Sequence, residues 1–227
     1  PNVLAREVTA GKDHFAIGLR IARCGGKVEQ WVAVASLPDA PVLYLERLVA
    51  RSDVEVMEVA TGTAPILNED APGIAPNRRV VAHAAGTETI VGLSRQPPRL
   101  LRWKTGWANV DGKLGVLCTT GAMAWRDRDA YWHSRLEEEL VANYHTGIGE
   151  VATDVEIGRC AALFIPNQAA EATAASKLAL EASGTLLAAR FGETVVVANL
   201  GSDPAEARLF GRSVALKPLR TAILAAR

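Results

Sequence analysis

Runs of apolar and β-branched residues, each closed by glycine, proline or aspartate, recur from His14 to Leu224. Short runs of this kind bury their apolar sides only by pairing edge to edge and packing sheet on sheet. The rhythm therefore predicts an all-β fold. Residues 14–21 lead into Cys24-Gly25-Gly26, a hairpin-like turn, and 28–37, with Trp31 central, stop at Pro38-Asp39. Residues 42–50 and 54–60 read as two more strands, and 79–84, 87–93 and 100–104 continue the series. Asp111-Gly112 lies between apolar runs, the strongest short-range hairpin signal in the chain, and 116–119 follow as a buried strand. Towards the end, 185–191, Gly192-Glu193 and 194–200 form a hairpin, with 205–210, 213–216 and 219–224 completing a meander.

Three stretches are harder. Residues 61–77 hold three prolines and no periodicity and are expected to be the longest loop. In 131–144 both helical and strand spacing fit, and the strand is preferred because both neighbours are strands. The Ala-rich 168–183 segment, with Asn167 as a start and Gly184 as a stop, is expected to be a short helix or an irregular crossover. Taken together, the chain reads as one domain over 1–227: a large two-sheet antiparallel β-sandwich of about fifteen short strands with little helix.

Composition limits the partners. Lys+Arg and Asp+Glu both total 25, so no excess of base exists to neutralise nucleic acid or an anionic membrane, and neither partner is expected. An apolar fraction of 49% against 22% charged residues excludes wholesale disorder. No apolar run is long enough to span a bilayer. Cys24, Cys118 and Cys160 are isolated, without CxxC spacing, and make neither a disulfide framework nor a zinc site. Three unpaired thiols favour a soluble protein of a reducing, cytoplasmic space over a secreted one. The opening Pro1-Asn2-Val3 suggests a processed chain or a piece of a larger protein.

Chemistry is only hinted at. Trp103, Trp107, Trp125 and Trp132 cluster in sequence, with Asn109 and Asp111 among them. A flat indole beside a polar side chain suits the apolar face and hydroxyl rim of a sugar, so these six residues are the candidate carbohydrate contacts. The competing reading is that the rings fill a sandwich core. His14, His83, His133 and His145 show no metal-ligand spacing, and neither a metal nor another cofactor is implied. Carboxylates are plentiful, but sequence does not say which pairs converge, so no residue is assigned as catalytic. Glu137-Glu138-Glu139 is expected on a solvated face or strand edge. No GxSxG elbow or glycine-rich phosphate loop is present.

The closing stretch, Glu193-Thr194-Val195-Val196-Val197-Ala198-Asn199-Leu200-Gly201 followed by Leu216-Lys217-Pro218-Leu219, resembles the final β-domain of many glycoside hydrolases. Trp107-Ala108-Asn109-Val110-Asp111-Gly112-Lys113-Leu114-Gly115 and Leu163-Phe164-Ile165-Pro166-Asn167-Gln168, with Thr173, are similar to β-sandwich segments of toroid or barrel glycosidases and polysaccharide lyases. With the strand count, the chain resembles the galactose-mutarotase-like supersandwich of such enzymes. That resemblance implies an accessory or C-terminal module that packs on the catalytic domain of the same enzyme and contacts an oligo- or polysaccharide. The catalytic histidine pattern of aldose epimerases is absent, so mutarotase activity is not implied. Two alternatives stay open: a structural or protein-interaction sandwich with no glycan role, and a β-module carrying part of a glycosidase or lyase active site.

Overall fold

A computed structural model describes residues 2–11, 14–37, 41–66, 78–91, 99–130, 135–167, 170, 174 and 177–224. Nineteen strands are present among them. The first nine are β1 (Asn2–Ala10), β2 (Phe15–Arg23), β3 (Val28–Ser36), β4 (Val42–Ala50), β5 (Val54–Ile66), β6 (Arg78–His83), β7 (Gly86–Val91), β8 (Leu100–Trp103) and β9 (Trp107–Val110). Then come β10 (Leu114–Cys118), β11 (Met123–Ala130), β12 (Arg135–Val151), β13 (Glu156–Pro166), β14 (Leu178–Ser183) and β15 (Leu186–Phe191). The last four are β16 (Thr194–Asn199), β17 (Ala205–Leu209), β18 (Arg212–Leu216) and β19 (Thr221–Leu224).

The expected all-β antiparallel sandwich is what forms, in more layers than two. A nine-stranded central sheet runs β1-β2-β3-β4-β13-β10-β9-β6-β7. An outer sheet, β5-β12-β11-β8, covers part of one face, and a C-terminal sheet, β14-β15-β16-β19, covers the other. Alternation of side chains shares each central strand between two cores. On β4, Leu43 and Leu45 join Trp31, Leu163, Leu187, Val196 and Leu200 on the C-terminal side. Tyr44 turns the other way, against the cluster of Trp125, Leu140, Cys160 and Ala162 under the outer sheet.

The C-terminal sheet is itself buried on both sides. Its Leu186, Ala188, Val195 and Val197 meet Leu209 and Val214 of the β17–β18 hairpin. This explains why Val195-Val196-Val197-Ala198 reads as an unbroken apolar run rather than an alternating one. It also corrects the meander: β19 pairs with β16, and the hairpin between them stands as its own two-stranded sheet. Each fully buried Leu or Val of these cores contributes about 1.5–3 kcal/mol over leaving it exposed.

Other local readings divide in the same physical way. Asp111 and Gly112 have φ of 54° and 66°, and the Lys113 N–H donates to the Val110 carbonyl at 2.9 Å, closing the β9–β10 hairpin. β12 is a strand from Arg135 onward. The expected loop 61–77 is corrected in its first part: Thr61 to Ile66 extend β5 and pair with β12, and 67–77 lie outside the described residues. In 168–183 no helix stands where Leu178–Ser183 form β14, and Gly184, at φ 55°, makes the β14–β15 turn instead of ending a helix. Pairing with β15 and burial of Leu178 override the helical preference of the alanines, since propensity yields to tertiary context.

Candidate functional site

Beyond the edge of the outer sheet, the described residues leave the apolar face of β2, β3 and β4 partly open. Leu19 and Ile21, Val32 and Val34, and Val42 form the floor of a cleft of about 620 Å³, which Phe164 of β13 and residues Ala60 to Ala64 of β5 wall in. Its polar residues include Arg23, Gln30 and Tyr44. A cleft of this size with mostly aliphatic walls and a few placed polar groups has the make-up of a small-molecule site.

Beneath the polar end lies Glu46, with none of its surface exposed. Its Oε1 accepts hydrogen bonds from Gln30 Nε2 and, at 2.8 Å, from the Tyr44 hydroxyl. Its Oε2 accepts from the Thr61 hydroxyl, from Asn143 Nδ2 at 3.5 Å and from the Cys160 thiol at 3.6 Å. All five donors are neutral. Burying a carboxylate without a cation is tolerated only when its lone pairs are filled in this way.

The backbone is shaped to supply two of those donors. Along β12, Leu140 and Ala142 face the inner core, while Val141 and Tyr144 pack together on the outer face. The alternation breaks between them, and Asn143 also points inward to Glu46. Directly across, Gly62 of β5 has φ 61°, a conformation side-chain-bearing residues rarely adopt. Thr61 and Asn143 are paired across the two strands here and meet, Nδ2 donating to Oγ1 at 3.0 Å.

The electrostatics keep the Tyr44 hydroxyl protonated. Burial first, and then the negative charge of Glu46, hold the Tyr44 hydroxyl well above the ordinary tyrosine range. A phenol so placed does not ionise near neutral pH and makes a poor general base. Glu46 itself is screened from the cleft by the side chains bound to it. Gln30 links this centre to the surface: its Oε1 accepts from Arg23 Nε at 2.7 Å.

Five of the six candidate sugar contacts are described, and they do not come together on one surface. Trp103 and Trp125 are buried under the outer sheet, Trp125 completely. Trp103 stacks on His83, centroids 4.7 Å apart, and donates Nε1–H to Glu88 at 2.8 Å. Trp107 is half-buried on the opposite face of the central sheet, packed against the C-terminal core. Asn109 shares that face by alternation, and its Oδ1 is buried without a hydrogen-bond partner among the described residues. Asp111 is engaged structurally, accepting from the Val80 N–H at 2.7 Å and from Arg79 at 3.0 Å. Trp132 lies outside the described residues.

The acidic run is a correction. Glu138 and Glu139 are both buried, Glu139 paired with Arg126, because β12 lies inside its sheet between β5 and β11. Among the described residues, no three His, Cys, Asp or Glu side chains gather as a metal site, and no helix is long and apolar enough to cross a membrane. Sequence reasoning missed Glu46 and its donors. The available signal was a carboxylate in the middle of the apolar run Leu43-Tyr44-Leu45-Glu46-Arg47-Leu48, on the same strand face as Tyr44.

No known protein family and no curated protein sequence matches the chain. Among solved structures, a chondroitinase AC lyase is similar over 96% of this chain and 31% of its own, at 10% identity and a TM-score of 0.57. The galactosidase domain of an alpha-galactosidase-sucrose kinase is similar over 73% of this chain and 28% of its own, at 9% identity and a TM-score of 0.49. This chain thus spans less than a third of either. It has the β-sandwich fold present in the lyase chain.

Proposed function

We propose that this chain is the accessory β-sandwich module of a carbohydrate-active enzyme, a polysaccharide lyase or glycoside hydrolase, packing on a catalytic domain carried elsewhere in the same protein. The observation that carries the reading is the outer hairpin of the central sheet. Val3, Leu4, Val8 and Phe15 are 57%, 47%, 43% and 45% exposed on β1 and the start of β2. A cluster of large apolar side chains on an edge strand is a surface that a neighbouring domain covers. The fold likeness, which takes in nearly all of this chain and under a third of the lyase chain, supports the module reading.

Among the described candidates, the glycan contact of this module falls at Trp107, whose ring is half-buried, and at Asn109 on the same face. Trp103 and Trp125, buried as they are, serve the core.

The test is to assay this 227-residue chain against uronate-containing and neutral polysaccharides, and to place Val8→Lys and Phe15→Glu in the complete protein. The module reading expects no depolymerisation by the isolated chain. It also expects the complete protein to lose stability or activity when the hairpin is charged. Turnover by the isolated chain would overturn the reading.

A further inference from the structure

Among the described residues, one cationic side chain lines the cleft over β2, β3 and β4, and it is held in place. Arg23 donates Nε–H to Gln30 at 2.7 Å, and Gln30 is fixed in turn by Glu46 and by the Tyr44 hydroxyl, 3.1 Å from its Nε2. The terminal guanidinium nitrogens have no carboxylate partner among the described residues, unlike those of Arg20, Arg51, Arg126 and Arg159. Beyond Arg23 the floor is aliphatic: Leu19, Ile21, Val32, Val34 and Val42, closed by Phe164.

We infer that this cleft binds a medium-chain aliphatic carboxylate, its head group paired with the Arg23 guanidinium and its chain laid over Leu19, Val32, Val34 and Phe164. A guanidinium presents two parallel N–H groups to a carboxylate, and a fixed Nε leaves the terminal pair pre-oriented. The walls decide the rest of the ligand. A sugar would lose water from hydroxyls that aliphatic side chains cannot hydrogen-bond, whereas an alkyl chain loses nothing there. The cleft's 620 Å³ is within the range of about 300–1,000 Å³ typical of small-molecule sites. The inference does not depend on the module reading.

Isothermal titration of the 227-residue chain with hexanoate, octanoate and decanoate, each below its micelle concentration, tests it on the unmutated protein. The expected result is one site per chain that tightens by about fourfold with each added methylene. Arg23→Gln is expected to weaken decanoate roughly tenfold or more while leaving octanol binding unchanged. Val34→Asp is expected to weaken both. Absence of saturable heat, binding at many weak sites or no dependence on chain length would overturn the inference. Equal decanoate affinity in Arg23→Gln would remove the head-group assignment, and glucuronate binding as tightly as decanoate would remove the aliphatic one.

Discussion

Tyr44 and Glu46 stand two residues apart on one face of β4, and the Tyr44 hydroxyl donates to Glu46 Oε1 at 2.8 Å. This pair is the meeting point of four other strands, with the Cys160 thiol of β13 the fourth donor beside three polar side chains. Gln30 reaches it from β3, Thr61 from β5 and Asn143 from β12, so the central and outer sheets are tied together by one buried carboxylate.

Removing the acceptor strands its donors. Glu46→Leu is expected to destabilise the protein by about 3 kcal/mol or more, since several buried donors lose their partner at once. Glu46→Gln keeps one acceptor and is expected to cost less. Urea denaturation midpoints of the two variants, with unchanged slopes, check the order; equal stability of Glu46→Leu and wild type would show the network to be dispensable.

Tyr44 makes stability sensitive to alkali. Its pKa is raised in the folded state by burial and by Glu46, so the folded chain holds this proton more tightly than the unfolded one. The associated stability is complete below the unfolded tyrosine value of about 10 and is lost as pH rises through the folded value. Tyr44→Phe is therefore expected to flatten the alkaline limb of a stability–pH curve. A limb of unchanged slope in that variant would point to other groups.

Acid acts through different residues. Burial pushes Glu29 up, but Arg20 and Arg51 outweigh it; burial likewise opposes Arg159 and Arg47 at Glu156, and both carboxyls sit below their ordinary value. Their stability is present above the unfolded glutamate value of about 4.3 and disappears as pH falls through the folded values. Arg51→Gln is expected to raise the pH at which acid unfolding begins, read by circular dichroism. No change in that onset would mean that Arg20 alone suffices.

The three thiols should separate by reactivity. Cys24 is exposed, whereas Cys118 and Cys160 are buried. A thiol reagent is expected to titrate one cysteine rapidly in the native protein and the other two only in denaturant. Rapid reaction of all three would contradict the packing of β10 against β13.

Gly18 lies at a close approach between layers. A Cβ built there would stand 2.1 Å from the Leu219 carbonyl oxygen, a backbone atom that cannot swing away. Gly18→Ala is expected to lower the thermal midpoint by several degrees or more, the scale of a few kcal/mol, against a small change for Gly158→Ala, whose Cβ would meet nothing.

What the sequence made legible was local. Asp111-Gly112 specifies its turn because two adjacent residues suffice to set both positive φ values. The Glu46 centre was hidden because its donors Gln30, Thr61 and Asn143 lie 16, 15 and 97 positions away, and only sheet pairing brings them together. The tryptophan cluster misled for the converse reason. Trp103 and Trp107 are neighbours in sequence, but the chain passes between them from the outer sheet to the central one, which then stands between their rings. The buried Glu138 and Glu139 follow the same rule, since a run of acids looks solvated until its strand is found in a sheet interior.

The two-sided central sheet also bears on which changes in length the chain can tolerate. Inserting or deleting a single residue near the start of β4 would exchange its two faces: Tyr44 and Glu46 would be driven into the Leu187 and Val196 side, and Leu43 and Leu45 into the ring of hydrogen-bond donors. Neither core could absorb the exchange, so natural variation in length belongs in the turns, and the strands between them behave as a fixed reading frame.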